Sequence, residues 1–356
     1  MKKILLSACR IVLGATFCFS GFMKIVDPWG GAFKLGEYFS AFGIERLSAT
    51  TLPLAVVLAA VELTLGASLL LGLRKWLIAG ATLLFMAFFT LLTLYSAVFE
   101  PVGDCGCFGD AVKLTSWQTF AKNLILLPMA WATFRSAPRE RKRDAHYVAA
   151  LLMLGCSIGI FAIRHLPLID FLPYKVGTDL IEARNNPPQS GETETTLIYR
   201  DRSSGRTQEF ALSDTTWYDT VRWEYVDTRI VFKERQKSID ASEFNIFTPF
   251  DGDLTDSLLF DGRPTTLLCV TELDRIAPRC RRRLARAAAE ASENGDNVLC
   301  ITTTPITAST RLTLDQQSYP CANIDGTLLK TLLRARVGIV RIAHGTIVAK
   351  RSCTDI

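Results

Sequence analysis

Two cysteines, Cys105 and Cys107, stand one residue apart in PVGDCGCFGDAVKLTSWQ, residues 101–118, a glycine-rich segment between long apolar runs. Thiols at that spacing can form a bond that trades electrons with another thiol pair. A disulfide between i and i+2 closes a very small ring. Its Cα separation can fall within the permitted span, but its torsions are strained, and strain makes a disulfide easier to reduce. Exchange is the favoured chemistry, with a static cross-link of the loop or two free thiols as competing readings. Gly103 and Gly109 permit backbone angles that other residues resist, so GDCGCFG reads as a tight, shaped turn. Ser116 or Thr115 then caps a helix, and Thr115 with Gln118 has the spacing of a capping box. A helix amino terminus stabilises nearby negative charge and can lower a thiol's pKa. No metal is expected here. The three histidines (His146, His165, His344) are scattered, and the ten cysteines follow no zinc spacing.

The loop has a use for redox chemistry only on the oxidising side of a membrane, and the rest of the sequence supplies that membrane. Of the 356 residues 49% are hydrophobic, and most of the first 165 lie in long uncharged runs. Five runs, near 4–25, 53–73, 76–99, 117–134 and 147–163, approach the roughly 20 apolar residues that cross a bilayer. LSAC ending at Cys9 matches a lipoprotein cleavage pattern. Only three apolar residues separate Lys3 from Ser7, however, short of a signal's apolar region of about 7–15, so the first helix is read as retained. Basic residues in short loops set orientation. Lys2, Lys3, Arg74, Lys75, Arg135, Arg139, Arg141, Lys142 and Arg143 fall on one side, nine in all, against Lys34, Arg46 and Lys113 on the other. The nine mark the cytoplasm. The chain is expected in the inner (cytoplasmic) membrane with a cytoplasmic N-terminus. The 101–116 loop and everything after about 165 are then periplasmic, where disulfides persist. The net charge of +5 is explained by these clusters and gives no sign of nucleic-acid binding.

Within the membrane half, Arg10 and Glu62 are charges in apolar surroundings, which are costly and usually face a partner or a cavity. Counting from the helix ends puts them about 6 Å apart in depth, so an Arg10–Glu62 pair is expected, as a pin for the bundle or in substrate or proton handling. Lys24 and Lys122 sit near helix ends and read as snorkelling to headgroups. Cys9, Cys18 and Cys156 read as small buried fillers. Gly155 and Gly159 suggest close helix packing.

The residues from Arg10 to Lys24, R-x3-G-x2-F-x2-SG-x2-K, followed by E-x3-G at Glu62–Gly66, resemble the DoxX superfamily of four-helix membrane proteins. CGCFG followed by W-x5-N (Trp117 to Asn123) resembles its branch of methylamine-utilisation MauE proteins, over roughly residues 5–135. The resemblance implies thiol–disulfide traffic at a membrane. MauE-type proteins are associated with maturation of the disulfide-rich small subunit of methylamine dehydrogenase, and DoxX relatives with quinone-linked sulfur oxidation. It makes Cys105 and Cys107 the redox candidates and a quinone the candidate electron acceptor, though no residue marks a quinone site. The fifth helix and the large exported tail depart from the simplest members.

The rest of the chain reads as soluble sequence. Residues 136–165 are a basic cytoplasmic loop and the fifth transmembrane helix, and 166–243 a linker with a small antiparallel β element (TLIYR, QEFAL, WEYVDT, RIVFK). A hairpin is expected around Asp251–Gly252. Strand–helix–strand follows, its helix running from Pro278 to Gly295 with Cys280, Leu284, Ala287 and Ala291 facing the core. After a second helical stretch come helix, strand, turn at His344–Gly345, and strand. This order resembles the thioredoxin fold over roughly 244–353, within a domain taken as 244–356. TELDRIA after the first strand has no cysteine, and Val337 stands where thioredoxins carry a cis-proline, so the domain reads as degenerate, suited to docking or scaffolding. Cys269 and Cys300 read as core, while Cys321 and Cys353 pair with each other or stay single. Arg279, Arg281, Arg282, Arg283 and Arg286 form a basic face, solvated or in contact with anionic lipid.

The fold class expected is thus an α-helical membrane bundle, a four-helix DoxX/MauE-like core (1–135) plus a fifth helix, joined to an exported α/β thioredoxin-like domain. Its partners would be the lipid bilayer and an exported thiol protein. The competing reading is a non-catalytic, membrane-anchored interaction module. A transporter built on Arg10 and Glu62 is weaker, because so few polar groups lie inside the helices.

Overall fold

The computed structural model describes residues 2–99, 109, 114–139, 144–167, 169–186, 193–202, 207–211, 222–232, 241–248 and 252–356. Its first half is a helical bundle: α1 (Lys2–Val26), α2 (Pro28–Ala41), α3 (Thr51–Leu71), α4 (Lys75–Phe99), α5 (Ser116–Ser136) and α6 (Ala145–Arg164). Four segments, Lys3–Val26, Glu45–Leu71, Lys75–Phe99 and Ala145–Arg164, are long and apolar enough to cross a membrane. α5 matches them in length but is more polar, with Gln118, Lys122 and Asn123 in its sequence. It packs along α4, where Asn123 donates to Thr93 Oγ1 at 3.2 Å between two buried side chains. Leu84, Phe88 and Leu91 stand exposed along α4, the composition of a stripe that faces lipid. This is a multi-pass membrane protein.

Sequence reading gave no helix between α1 and α3, yet α2 is there. Its start has two ordinary signals. Asp27 is the N-cap, accepting from the Gly30 amide at 3.2 Å, and Pro28 takes the first helical position, where its missing N–H does no harm.

Glycines set the register of α1 against the antiparallel α3. A Cβ on Gly66 would stand 2.4 Å from the Cys18 amide and 2.8 Å from the Gly14 carbonyl, and one on Gly21 would stand 2.5 Å from the Leu63 amide. Backbone therefore touches backbone. α6 joins the same way, with Gly155 against Ala60 and Gly159 against Val56. Gly66→Ala is expected to push α1 and α3 apart and cost about 1–3 kcal/mol. Gly36→Ala, with nothing within 4 Å of the new carbon, should be neutral or slightly stabilising. Unfolding midpoints of the two purified variants check this, and equal midpoints would refute the close contact.

The second half is α/β. Between the bundle and its main sheet lie α7 (Leu180–Asn185) and a three-stranded antiparallel sheet, β1 (Thr193–Asp201), β2 (Thr207–Ala211) and β3 (Trp223–Phe232), in the order β2-β1-β3. WEYVDT and RIVFK, read separately in the sequence, are one strand. The segment expected as a linker is partly core. Tyr174 and Leu180 are fully buried in the α/β domain, because a stretch carrying Phe171, Leu172, Tyr174 and Leu180 has too much apolar surface to stay in solvent.

β4 (Ile246–Thr248) and β5 (Gly252–Asp253) form the short expected hairpin. Then come α8 (Thr255–Phe260), β6 (Thr265–Val270), α9 (Pro278–Glu293), β7 (Asn297–Thr302), β8 (Arg311–Leu314), β9 (Gln317–Ile324), α10 (Gly326–Leu333), β10 (Val337–Ala343) and β11 (Thr346–Ser352). The main sheet has the order β11-β10-β6-β7-β9-β4-β5, with β8 paired to β9. β6, β7 and β9 are parallel, β10 runs antiparallel to β6, and β11 antiparallel to β10. All six residues of β6 are buried, as a central strand covered on both faces requires. The order β–α–β then α–β–β is the one expected of a thioredoxin-like domain. The second helical stretch expected near 303–320 is instead the β8–β9 hairpin. RLTL alternates exposed and buried side chains, a period of two that suits a strand.

Candidate functional site

The chain leaves α4 at Phe99 and is described again at Gly109, so Cys105 and Cys107 lie outside the described residues. The described residues that follow them are informative. Gly109 has φ +60°, and a Cβ there would stand 3.7 Å from the Met23 carbonyl oxygen, so its backbone rests on the last turn of α1. Beyond it, Thr115 caps α5 in a complete capping box. Its hydroxyl accepts from the Gln118 amide at 3.2 Å and its own amide donates to Gln118 Oε1 at 3.1 Å.

Next to Gly109 lies the junction between the bundle and the α/β domain. Met23 and Asp27 line a space large enough for about one water with Pro167, Asp170, Phe171 and Leu172. Asp27 uses its second oxygen on the α/β side. Arg334 Nε stands 3.0 Å from Asp27 Oδ2, close enough for an ion pair though not aligned as a hydrogen bond. Arg334 is 4% exposed and closes α10 with φ +51°. The cations of Arg334 and Lys330 each lie 5.2 Å from the Phe33 ring of α2, within cation–π range. Behind Arg334, Lys350 is buried and donates to Asp170 Oδ2 at 2.7 Å and to the Tyr174 carbonyl at 3.0 Å. Burial pushes the Lys350 amine down from its ordinary range, and Asp170 offsets part of that shift. Asp27, Arg334, Asp170 and Lys350 thus alternate in sign across the junction. No sequence signal joined them, because 307 positions separate Asp27 from Arg334.

The expected Arg10–Glu62 pair is not the one that forms. Glu62 Oε2 is 2.7 Å from Lys24 Nζ, and the carboxylate is nearly buried. The glycine contacts explain why. They put Glu62 level with residue 22 of α1, so Lys24 is about 3 Å away along the axis and Arg10 about 18 Å. Lys24, read from sequence as snorkelling, turns inward instead. Arg10 lies at the other end of the bundle.

The remaining cysteines sort by environment. Cys280 bonds to Cys353, with 5.5 Å between Cα atoms. Two expectations are thereby corrected: Cys280 does not simply face the core, and Cys353 does not pair with Cys321. Leu284, Ala285, Ala288 and Ala291 are the buried residues of α9, which leaves Cys280 on the flank nearest the end of β11. Cys321 sits beside Cys300 in the β7–β9 register. Hydrogen bonding between these two buried thiols, together with burial, pushes the Cys300 thiol up. Burial likewise raises Cys269. The Cys300–Cys321 hydrogen bond moves the Cys321 thiol the other way, downward, so only Cys269 and Cys300 are held as thiols. Cys9, Cys18 and Cys156 are free and half-buried within the bundle helices.

Residues 2–135 match the family model described as Methylamine utilisation protein MauE. The chain therefore has a MauE-like membrane domain followed by an α/β part. Protein TlpB of Flavobacterium psychrophilum is 28% identical over 172 residues, which cover 47% of this chain. The chain spans only 40% of that relative's length. No solved structure matches.

Proposed function

We propose that this membrane protein exchanges disulfides with an exported thiol protein, and that Cys105 and Cys107 are its redox pair. A thiolate of the partner attacks one sulfur of the loop disulfide, breaking that bond and forming a mixed disulfide. The partner's second thiolate then displaces the loop cysteine. The partner leaves oxidised, the loop is left as a dithiol, and its two electrons pass to an acceptor of the quinone class. The observation that supports this reading is the place of Gly109, two residues past Cys107: it lies against Met23, beside the Asp27–Arg334 junction where the α/β domain meets the bundle. A partner held by that domain would be presented to the loop. The excess of basic residues at the Lys3 and Lys75 end supports a cytoplasmic N-terminus, which would put loop and α/β domain in the periplasm.

The α/β domain itself offers no dithiol after β6, where Leu273–Arg275 form a short 3-10 turn, so its part is docking. That same absence favours a second reading, a membrane-anchored interaction module with no redox step of its own.

Trapping separates the two. In Cys107→Ser the lone Cys105 thiolate can still attack a disulfide of the oxidised partner, the reverse of the exchange, forming a mixed disulfide and releasing the partner's other thiolate. The full-chain variant should therefore accumulate a reducible adduct between Cys105 and an exported protein, seen on non-reducing gels and identified by mass spectrometry. Cys105→Ser/Cys107→Ser should abolish the adduct and leave exported cysteine proteins more reduced. A double variant with wild-type redox behaviour and normal membrane insertion would sink the exchange reading and leave the docking module.

A further inference from the structure

The end of the bundle away from the α/β domain holds a cavity of about 280 Å³ lined by Lys3, Ser7, Arg10, Ser68, Lys75 and Thr133, among others. Among the described residues three cations line it, contributed by α1 and α4, and no carboxylate does. Two of its donors are informative. Arg10 Nε and Ser68 Oγ are buried with no hydrogen-bond partner among the described residues, and Ser68 is 0% exposed. A buried donor left unmade costs about 1–3 kcal/mol, so two in one cavity call for an acceptor that enters it. Thr133 already donates its proton to the Met129 carbonyl. Arg10, Ser68 and the two lysines are therefore donors with no acceptor among the described residues, a set that matches an oxyanion with several acceptor oxygens.

The backbone keeps this space open. Gly72 ends α3 at φ +69°, and a Cβ there would stand 3.5 Å from Arg10 Nη1 and 3.4 Å from Lys75 Cε. The surrounding residues place the cavity at headgroup depth. Trp76 carries the Arg139 guanidinium 5.3 Å from its ring centroid, and Trp131 carries that of Arg135 at 5.9 Å. Tryptophan with arginine is the composition of a membrane–water boundary. The volume is many times that of the one-water space at the junction, room for a phosphate with part of a glycerol on it.

We propose that this cavity is a phosphate-binding site gripped by Arg10, Ser68, Lys3 and Lys75, filled either by the headgroup of an anionic phospholipid or by soluble phosphate. Arg10 then has a ligand in place of the carboxylate partner that the sequence led one to expect.

The test uses the full chain, delipidated and held in nanodiscs of phosphatidylcholine, with native mass spectrometry as readout. Phosphatidylglycerol and inorganic phosphate are titrated separately. Arg10→Gln should weaken binding by about tenfold or more, since a hydrogen bond to a charged group is worth about 1.5–3 kcal/mol. Ser68→Ala, which removes one hydroxyl and little volume, should weaken it severalfold with the helix content unchanged. Saturation by phosphatidylglycerol with no response to phosphate identifies a lipid headgroup, and the reverse identifies soluble phosphate. Wild type and both folded variants binding each probe equally, or none of them binding either probe, would overturn the proposal.

Discussion

Lys24→Leu is expected to destabilise the bundle by about 3–5 kcal/mol, the penalty for stranding one member of a buried ion pair. Glu62 is the stranded member. Its side chain is only 8% exposed, it sits midway along α3, and a short carboxylate there cannot reach a headgroup. Glu62→Leu should cost less, because Lys24 lies two residues from the end of α1 and its long stem can carry the amine to the interface. The double replacement should come out milder than Lys24→Leu alone, since exchanging a whole buried pair for apolar residues is often neutral. Denaturant or SDS unfolding of the four purified proteins gives the cycle directly. Equal effects of the two single changes, or strict additivity in the double, would contradict the pairing. Arg10→Gln serves as a control, because a change about 18 Å along the axis should not couple to Glu62.

Reducing or removing the Cys280–Cys353 bond has the other large expected effect. It joins positions 73 apart, and in the chain-entropy account a loop of that length is worth about 4 kcal/mol. The bond fastens the first turn of α9 to the end of β11. Arg283 strengthens the same seam by donating to the carbonyls of Cys353 and Thr354 at 2.7 Å each. Cys280→Ser/Cys353→Ser should therefore lower the unfolding midpoint of the α/β domain and raise amide exchange in α9 and β11 first, while the bundle is unaffected. An unchanged midpoint would mean that the seam holds without sulfur. The bond also reports location. Differential alkylation of protein from intact cells should find this pair oxidised if the domain is exported, and free if it folds in a reducing compartment.

Much of this architecture is written locally in the chain. Apolar runs mark the long helices, Thr115 and Gln118 announce the start of α5, and LLCV against LCIT marks the parallel pair β6 and β7. What failed has a common cause: it depended on how separate elements meet. Counting from helix ends assumed that α1 begins at the level where the antiparallel α3 ends. Their offset is decided by where Gly14, Gly21 and Gly66 let backbones touch, and that moved the partner of Glu62 from Arg10 to Lys24. Asp27 and Pro28 were readable as a helix start, but the short run after them looked like loop beside its longer neighbours. Among ten cysteines no spacing rule selects Cys280 with Cys353, and only the meeting of α9 with β11 does so. The site residues Cys105 and Cys107 remain the sequence's own nomination, and they lie outside the described residues.

The chain's last residues return to the bundle. Ser352 donates to the Arg164 carbonyl at the end of α6 at 3.0 Å, and His165 pairs with Asp355. Together with Asp27 and Arg334, this suspends the α/β lobe from two struts on different helices. A lobe on one slack cord would tumble and offer every side equally. Held at two places, this lobe keeps one orientation to the bundle, so the arginine-studded flank of α9 keeps one compass bearing.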